Sequence, residues 1–356
     1  MKVEHLKYNI KLHFNHLLKR TYIPEQTTHL YIEPSSICNL KCRFCAYQKA
    51  DYPKKVMPGN LFEDIVDKAT EFGFTDFGLT PITGDIFTDK LIAEKLLFLE
   101  NHPKVKSYSF YTNFVLVDRE KIDFLLSLRK LTQMSISLYG HDLISFKALT
   151  GGSENQHRKL LTNLSYLSEN YKEENFDLQV ALRSTLDFDG SNFCTSVQKV
   201  MRTFGNSIDF VHTPTYDTWG GMVTPEDVAG INIELRYKPV KKIGACALIF
   251  YKNQVHSDGK VNACACRDVL RSMEIGDLNS QTFSEIYSMD NQKLVKLIED
   301  QQQGKFSEIC DNCDFYRSIY YNYDVYNQRQ YTLTDFQSYQ QVLKANSVSS
   351  DEREVL

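Results

Sequence analysis

The run His29-Leu-Tyr-Ile-Glu-Pro34, followed by Cys38-Asn-Leu-Lys-Cys42-Arg-Phe-Cys45, decides the reading of this chain. Its first part is short, apolar and rich in β-formers, so it reads as a strand, and the three cysteines occupy the loop at its carboxyl end. Each thiolate supplies one ligand and an iron–sulfur cubane needs four, so three cysteines leave one iron without a protein ligand. A zinc site is the plain alternative. Zinc knuckles favour C-x2-C pairs with a fourth Cys or His nearby, and no His follows soon after Cys45.

Working outward, residues 29 to about 212 alternate short β runs with amphipathic stretches, the pattern of successive βα units and a parallel sheet. The expected strands are 29–34, 76–82, 107–112, 133–138, 178–183 and 208–212. Asn60 with Glu63 three residues on predicts the start of a helix through Leu61, Ile65, Ala69 and Phe72. Leu160, Leu161, Leu164 and Leu167 predict another buried helix face. Ligands of parallel barrels gather at the carboxyl ends of the strands. There stand Thr83-Gly84-Asp85, Asn113, Ser135 with Ser137 on one face, Arg183 and His212.

C-x3-C-x-aromatic-C after a first strand, in a six-strand pattern, resembles the radical S-adenosylmethionine (radical SAM) enzymes. The resemblance implies an α/β fold with a partial (β/α)6 TIM-like barrel, a SAM-binding 4Fe-4S cluster held by Cys38, Cys42 and Cys45, and SAM on the open iron. Phe44 is the aromatic of the motif and a cofactor contact. Thr83-Gly84-Asp85 is similar to the family's Gly-Gly-Glu motif, which holds the amino group of SAM, but departs from it at two of three positions; an ordinary Gly-Asp turn is the alternative. Asn113 follows a strand end similar to the family's Thr-Asn-Gly. Ser135 and Ser137 are within reach of the ribose or carboxylate, and the Arg183 guanidinium of the carboxylate.

The remaining cysteines form a second pattern. Cys246, then Gly259 after twelve residues, then Cys264 after four more, and downstream Cys310-Asp-Asn-Cys313, supply four ligands. Ser257-Asp258-Gly259 reads as a hairpin turn that places Cys246 and Cys264 on adjacent strands. This arrangement resembles the Twitch domain, a shortened SPASM domain, and implies an auxiliary 4Fe-4S cluster in a small α+β domain; a zinc ribbon on the same thiolates is the alternative. The expected layout is an N-terminal helix (1–28), the barrel (29–240), the auxiliary domain (241–314) and a Tyr-rich extension (315–356), frayed at 347–354. Cys266, two residues after Cys264, points the same way if the two share a strand. It is a substitute ligand or a hydrogen donor. Cys194 reads as helix core, with the same donor role as its alternative.

Expected function follows from the resemblance: a 5'-deoxyadenosyl radical abstracts hydrogen from a small polar molecule such as a sugar, aminosugar or cyclitol. The auxiliary cluster then accepts an electron and an alcohol is oxidised. The alternatives are an epimerase with a Cys hydrogen donor, and a peptide-modifying maturase, which the thirty-seven residues before Cys38 leave short of a leader-binding domain. His212, Asp217 and Trp219, in or beside the loop 213–221, are candidates for proton transfer, hydroxyl binding and stacking. Packing of Trp219 against the auxiliary domain is the competing reading.

Composition bounds the partners. A net charge of −4 gives no case for nucleic acid, and no apolar run of signal or membrane-spanning length occurs. Nine cysteines, an odd number, suit metal ligation in a reducing cytoplasm. A flavodoxin- or ferredoxin-type donor or a reductase is the expected protein partner, and the Tyr-rich tail could pack across the barrel or form a homodimer contact. Leu6, Ile10, Phe14 and Leu17 at helical spacing predict a surface helix that caps the barrel, in preference to a membrane-surface helix, because only one narrow apolar stripe is present.

Overall fold

The computed structural model describes residues 2–24, 28–80, 82–213, 215–236, 240–323 and 331–333. Helix α1 (Lys2–Leu17) and strand β1 (Tyr22–Pro24) lead into β2 (His29–Ile32), α2 (Gly59–Phe72), β3 (Asp76–Gly78), α3 (Ile92–Asn101), β4 (Ser107–Thr112) and α4 (Arg119–Ser127). Then come β5 (Leu131–Tyr139), α5 (Leu143–Thr150), α6 (Glu154–Asn170), β6 (Asp177–Arg183), α7 (Thr195–Phe204) and β7 (Asp209–Thr213). The second part holds β8 (Thr215–Asp217), β9 (Glu234–Arg236), β10 (Gln254–Val255), β11 (Lys260–Asn262), β12 (Glu274–Asp277), α8 (Phe283–Ile286), α9 (Gln292–Gln302), α10 (Glu308–Asp311) and β13 (Tyr331–Leu333).

Strands β2 to β7 lie parallel and in chain order, because each returns through a helical crossover. All six expected strands are present. The second is shorter than the expected 76–82, although Leu79 N, just beyond it, still donates to Ser109 O at 2.8 Å. The sheet does not stop at β2. β10 pairs with it in parallel, β11 runs antiparallel to β10 and β12 to β11, so the auxiliary hairpin is the continuation of the barrel sheet.

Helix faces follow apolar spacing. Phe62, Ile65, Val66 and Ala69 of α2 and Leu160, Leu164 and Leu167 of α6 are almost fully buried against the sheet, with Leu161 half-buried beside them. The start of α2 differs from expectation. Its N-cap is Pro58, and Asn60 lies within the first turn, because Phe62 N already donates to Pro58 O. The stripe on α1 faces outward: Leu6, Ile10, Phe14 and Leu17 are 55–79% exposed, while Leu12 is buried. Tyrosines decide this orientation. Tyr8 Oη meets Tyr323 Oη at 2.9 Å and Asn15 Nδ2 donates to Tyr320 O at 2.9 Å, so the polar–aromatic face of α1 docks on segment 316–323. Tyr326, Tyr339 and 347–354 lie outside the described residues. Among the described residues no helix is long and apolar enough to cross a membrane.

Behind the barrel, Lys95 of α3 pairs with Asp89 at 2.6 Å, both side chains 2% exposed or less, and its ammonium also donates to Met57 O. A buried charge stripped of its partner is costly. Lys95→Met should therefore destabilise the metal-free protein by about 3–5 kcal/mol in urea unfolding, and Asp89→Asn added to it should recover part of that loss.

Candidate active site

The loop that carries Cys38, Cys42 and Cys45 is strapped down on both sides. Lys41 N and Arg43 N donate to Thr150 O and Leu149 O at the end of α5, Gln156 Nε2 donates to Asn39 O, and Leu40 is buried beneath. Cys38 N donates to Tyr47 Oη at 3.0 Å, and Asn113 Nδ2 bonds Asn39 Oδ1 at 2.9 Å while standing 4.0 Å from Cys38 Sγ. Burial pushes the Cys38 thiol up to about 12 and the Cys45 thiol up to about 11, and raises Cys42 as well, against a lowering pull from Arg183 on Cys42 and Cys45. Buried thiols of this kind ionise when a metal takes them as ligands.

One cleft brings most of the expected SAM shell together: Phe44, Thr83, Gly84, Asp85, Asn113, Ser137 and Arg183 line it with the three cysteines and Trp219. Gly84 is required where it stands. Its φ is +136°, and a Cβ there would lie 2.9 Å from Ser35 O, so the turn can close on the cluster loop and Asp85 N can donate to Ile37 O at 2.8 Å. The Asp85 carboxylate turns inward. It accepts from Phe87 N (3.0 Å), Thr112 Oγ1 (3.0 Å) and Asn113 N (2.7 Å), and burial pushes it up to about 6. It thus ties the turn to the end of β4.

Phe44 packs its ring on Tyr139 and Tyr216 at 5.4 and 4.6 Å, and its carbonyl accepts from Trp219 Nε1 at 3.1 Å. Arg183 Nε is buried without a partner among the described residues, a cation aimed at an unfilled demand in a cleft beside three thiols. That donor and the thiols fit a cluster with an anionic ligand upon it.

Other candidates fall elsewhere. Ser135 shares parity with Ser137 but sits deeper, against Gln179 at 3.5 Å, and is not among the residues that line the cleft. His212 is corrected: it registers with Leu182, the buried helix-side residue of β6, and meets Phe188 at 4.9 Å, whereas Thr213 registers with Arg183. The inward parity is one residue on. Asp217 accepts from Trp219 N at 3.1 Å and pairs with Arg267 at 3.0 Å. Arg267 also stacks over Trp219 and Phe315, so the packing of Trp219 toward the auxiliary domain and its place in the cleft both hold. Tyr139 and Arg267 were missed; Tyr139 was legible as the next inward residue after Ser137.

Cys246, Cys264, Cys310 and Cys313 line a second cavity, with Cys266 and Met273. Cys246 precedes a single helical turn (Ala247–Phe250) rather than sitting on a strand, because Ala247 N donates to Arg317 O and the chain turns before β10; the Ser257–Gly259 turn itself is present, with Gly259 N donating to His256 O. Cys264 and Cys266 likewise lie beyond β11, where Cys266 N donates to Cys264 Sγ at 3.3 Å. Phe315 N donates to Cys313 Sγ at 3.3 Å, and Gln301 Nε2 stands 3.9 Å from Cys310 Sγ. N–H groups turned on sulfur are the contacts that tune iron–sulfur sites. Burial raises Cys246, Cys310 (up to about 12) and Cys313 (up to about 11), while Cys264 is raised first by its hydrogen bond with Cys266 and then by burial. The four thiols of Cys246, Cys264, Cys310 and Cys313 face one shared space, a donor set that fits an iron–sulfur cluster. Cys194 caps α7 and lines neither space.

The Radical SAM superfamily model matches residues 32–184, and the model described as an iron-sulfur cluster-binding domain, SPASM, matches 246–314. Residues 32–184 thus carry a radical SAM domain and residues 246–314 a SPASM-type iron–sulfur domain. A search of curated proteins gives no match. Among solved structures, BtrN in complex with AdoMet (SAM) and 2-DOIA is similar at 13% identity and TM-score 0.53, over 88% of this chain and 98% of that one. Streptococcus suis SuiB bound to precursor peptide SuiA is similar at 15% identity and TM-score 0.53, over 88% and 75%. Native anSMEcpe with bound AdoMet is similar at 19% identity and TM-score 0.51, over 90% and 97%. The likeness establishes the fold. This radical SAM enzyme carries SAM, a 4Fe-4S cluster in the barrel and an auxiliary iron–sulfur cluster.

Gly84→Ala should leave iron content unchanged and weaken SAM binding by tenfold or more, about 1.4 kcal/mol, in equilibrium titration, because a Cβ at that φ forces the turn off the cluster loop. Asp85→Ala should do the same at a further cost in stability, since three inward donors lose their acceptor.

Proposed function

We propose that this radical SAM enzyme oxidises an alcohol of a small polar substrate, a sugar, aminosugar or cyclitol, and that the auxiliary site takes up the second electron. The observation that carries the reading is the four-cysteine cavity set beside the cleft and joined to it by the Trp219–Arg267–Asp217 seam. Four protein ligands leave a cubane no position for substrate, which suits an electron acceptor.

When bound, the barrel cluster and SAM supply one-electron, hydrogen-abstracting chemistry. The chain's own residues do the rest. Cys38, Cys42 and Cys45 hold the first cluster; Cys246, Cys264, Cys310 and Cys313 hold the second. Arg183 orients the SAM carboxylate, Ser137 and Tyr139 face the same space, and Asn113 and Tyr47 fix the cysteine loop. Phe44 and Trp219 wall the cleft against water. Asp217 stands outside the cleft lining with one oxygen on Trp219 N and the other on Arg267, and we assign it the positioning of Trp219 at the cleft wall. His212, on the helix-side face, has no part in this assignment. Cys266 lies on the auxiliary cavity and Cys194 at a helix cap, so neither thiol lines the cleft as an epimerase donor must.

The test is a screen of sugars, aminosugars and cyclitols for 5'-deoxyadenosine release, followed by product analysis. Cys310→Ala should still release deoxyadenosine but form no carbonyl product, while Cys266→Ser keeps the wild-type product. Deuterium from solvent on an inverted carbon, with no carbonyl, would establish epimerisation instead. Turnover on a peptide with none on these molecules would establish a maturase.

A further inference from the structure

The outward face of α1 is an apolar stripe with a basic rim. Leu6, Ile10, Phe14 and Leu17 recur at helical spacing and are 60%, 59%, 55% and 79% exposed. Lys7 and Lys11 flank the stripe along one edge, and His13, bonded to Lys241 at 2.7 Å, along the other. Lys19 and Arg20 follow the helix end, and Glu4 is its single acid. The chain as a whole is net −4, so this is a local inversion of charge. An exposed apolar centre rimmed by one sign of charge is the anatomy of a docking surface for a partner of opposite sign.

What lies behind α1 narrows the partner. The inner face of the helix rests on segment 316–323 through Tyr8, whose ring is 4.6 Å from Tyr321 and whose hydroxyl meets Tyr323. The same segment contributes Tyr316 to the wall of the auxiliary cysteine cavity, and its Ser318 forms a β-bridge with Cys246. One layer of chain, rich in tyrosine, separates the docking face from the auxiliary site.

We propose that the outward face of α1 docks an acidic one-electron carrier protein of the flavodoxin or ferredoxin class, which collects the electron left on the auxiliary site by substrate oxidation. The auxiliary site loses one electron, the oxidised carrier gains one, and no bond or proton changes hands. The direction of transfer rests on the function proposed above; the docking does not. A second copy of this chain is a poorer occupant: it would set Lys7 and Lys11 against their own kind, and four apolar side chains fall short of the roughly 800 Å² per partner of a stable dimer.

The test is surface plasmon resonance with the anaerobic, cluster-loaded enzyme immobilised and oxidised flavodoxin as the probe. Binding should weaken by about tenfold or more as ionic strength rises from about 0.02 to about 0.3 M. Leu6→Gln/Ile10→Gln/Phe14→Gln, whose side chains are exposed and whose replacement is a good helix former, should weaken it by about tenfold, and so should Lys7→Glu/Lys11→Glu. Deoxyadenosine release driven by a chemical reductant should be unchanged in both variants. Undiminished flavodoxin binding by both variants overturns the proposal. Wild-type binding to phosphatidylglycerol vesicles that the variants lose would make α1 a membrane-surface helix, and a wild-type dimer that the variants dissolve would make it a self-association face; either overturns it too. If docking stands while no carbonyl product forms, the function proposed above fails and the docking surface remains.

Discussion

A buried carboxylate joins the two halves of this enzyme. Glu33, fully buried at the end of β2, accepts from Ser257 N and from Arg271, each at 3.1 Å, and Arg271 reaches on to Asp258 at 2.9 Å. Removing such a carboxylate from water costs several kcal/mol, which only partners placed with good geometry offset. Those partners come from the auxiliary hairpin and the segment after Cys266. The parallel pairing of β10 with β2, closed by Glu33 N donating to Val255 O at 2.8 Å, and this ion network therefore stand or fall together. Arg271 accepts a left-handed backbone, φ +57°, and stacks on Tyr52 at 3.8 Å to make the reach. The strand that delivers Cys38 and the hairpin that precedes Cys264 become one rigid piece.

The electrostatics of both cysteine sets follow from the same burial. Thiols held between about 11 and 12 or higher stay protonated in the metal-free chain, and ligation releases their protons. Metal binding is thus coupled to proton release and to the order of the loops that carry the ligands. Arg183, between the first set and the cleft, favours the ionised form of Cys42 and Cys45 while its Nε stays free for an anionic ligand. One side chain serves both the cluster and what binds on it.

Much of this was legible in the chain. Cysteine spacing picked out the two sets of thiols that line the two spaces, and βα alternation placed the six strands of the barrel. What was not legible depended on a single step of parity or on distant partners. His212 ends a strand and so reads as a residue of the barrel mouth, but only the register with Leu182 shows which way it points. Asp85 reads in the sequence as a contact for the amino group of SAM or as part of a plain turn; its three donors, on Phe87, Thr112 and Asn113, come together only when the turn closes on β4. The spacing on α1 predicts a surface helix capping the barrel but not which face docks; the tyrosines of 316–323, three hundred residues on, decide that. No local signal shows that the auxiliary hairpin extends the barrel sheet, because the β10–β2 pairing spans more than two hundred residues.

The central claim is that the chain holds two separate clusters, one on three cysteines and one on four. Iron analysis with Mössbauer spectroscopy on the anaerobically reconstituted protein, beside the Cys38→Ala/Cys42→Ala/Cys45→Ala variant, tests it most directly. The account predicts about eight irons per chain in the wild type and about four, still in one cubane, in the variant. A variant that keeps all its iron, or a wild type that holds about four irons and a zinc ion, would contradict it.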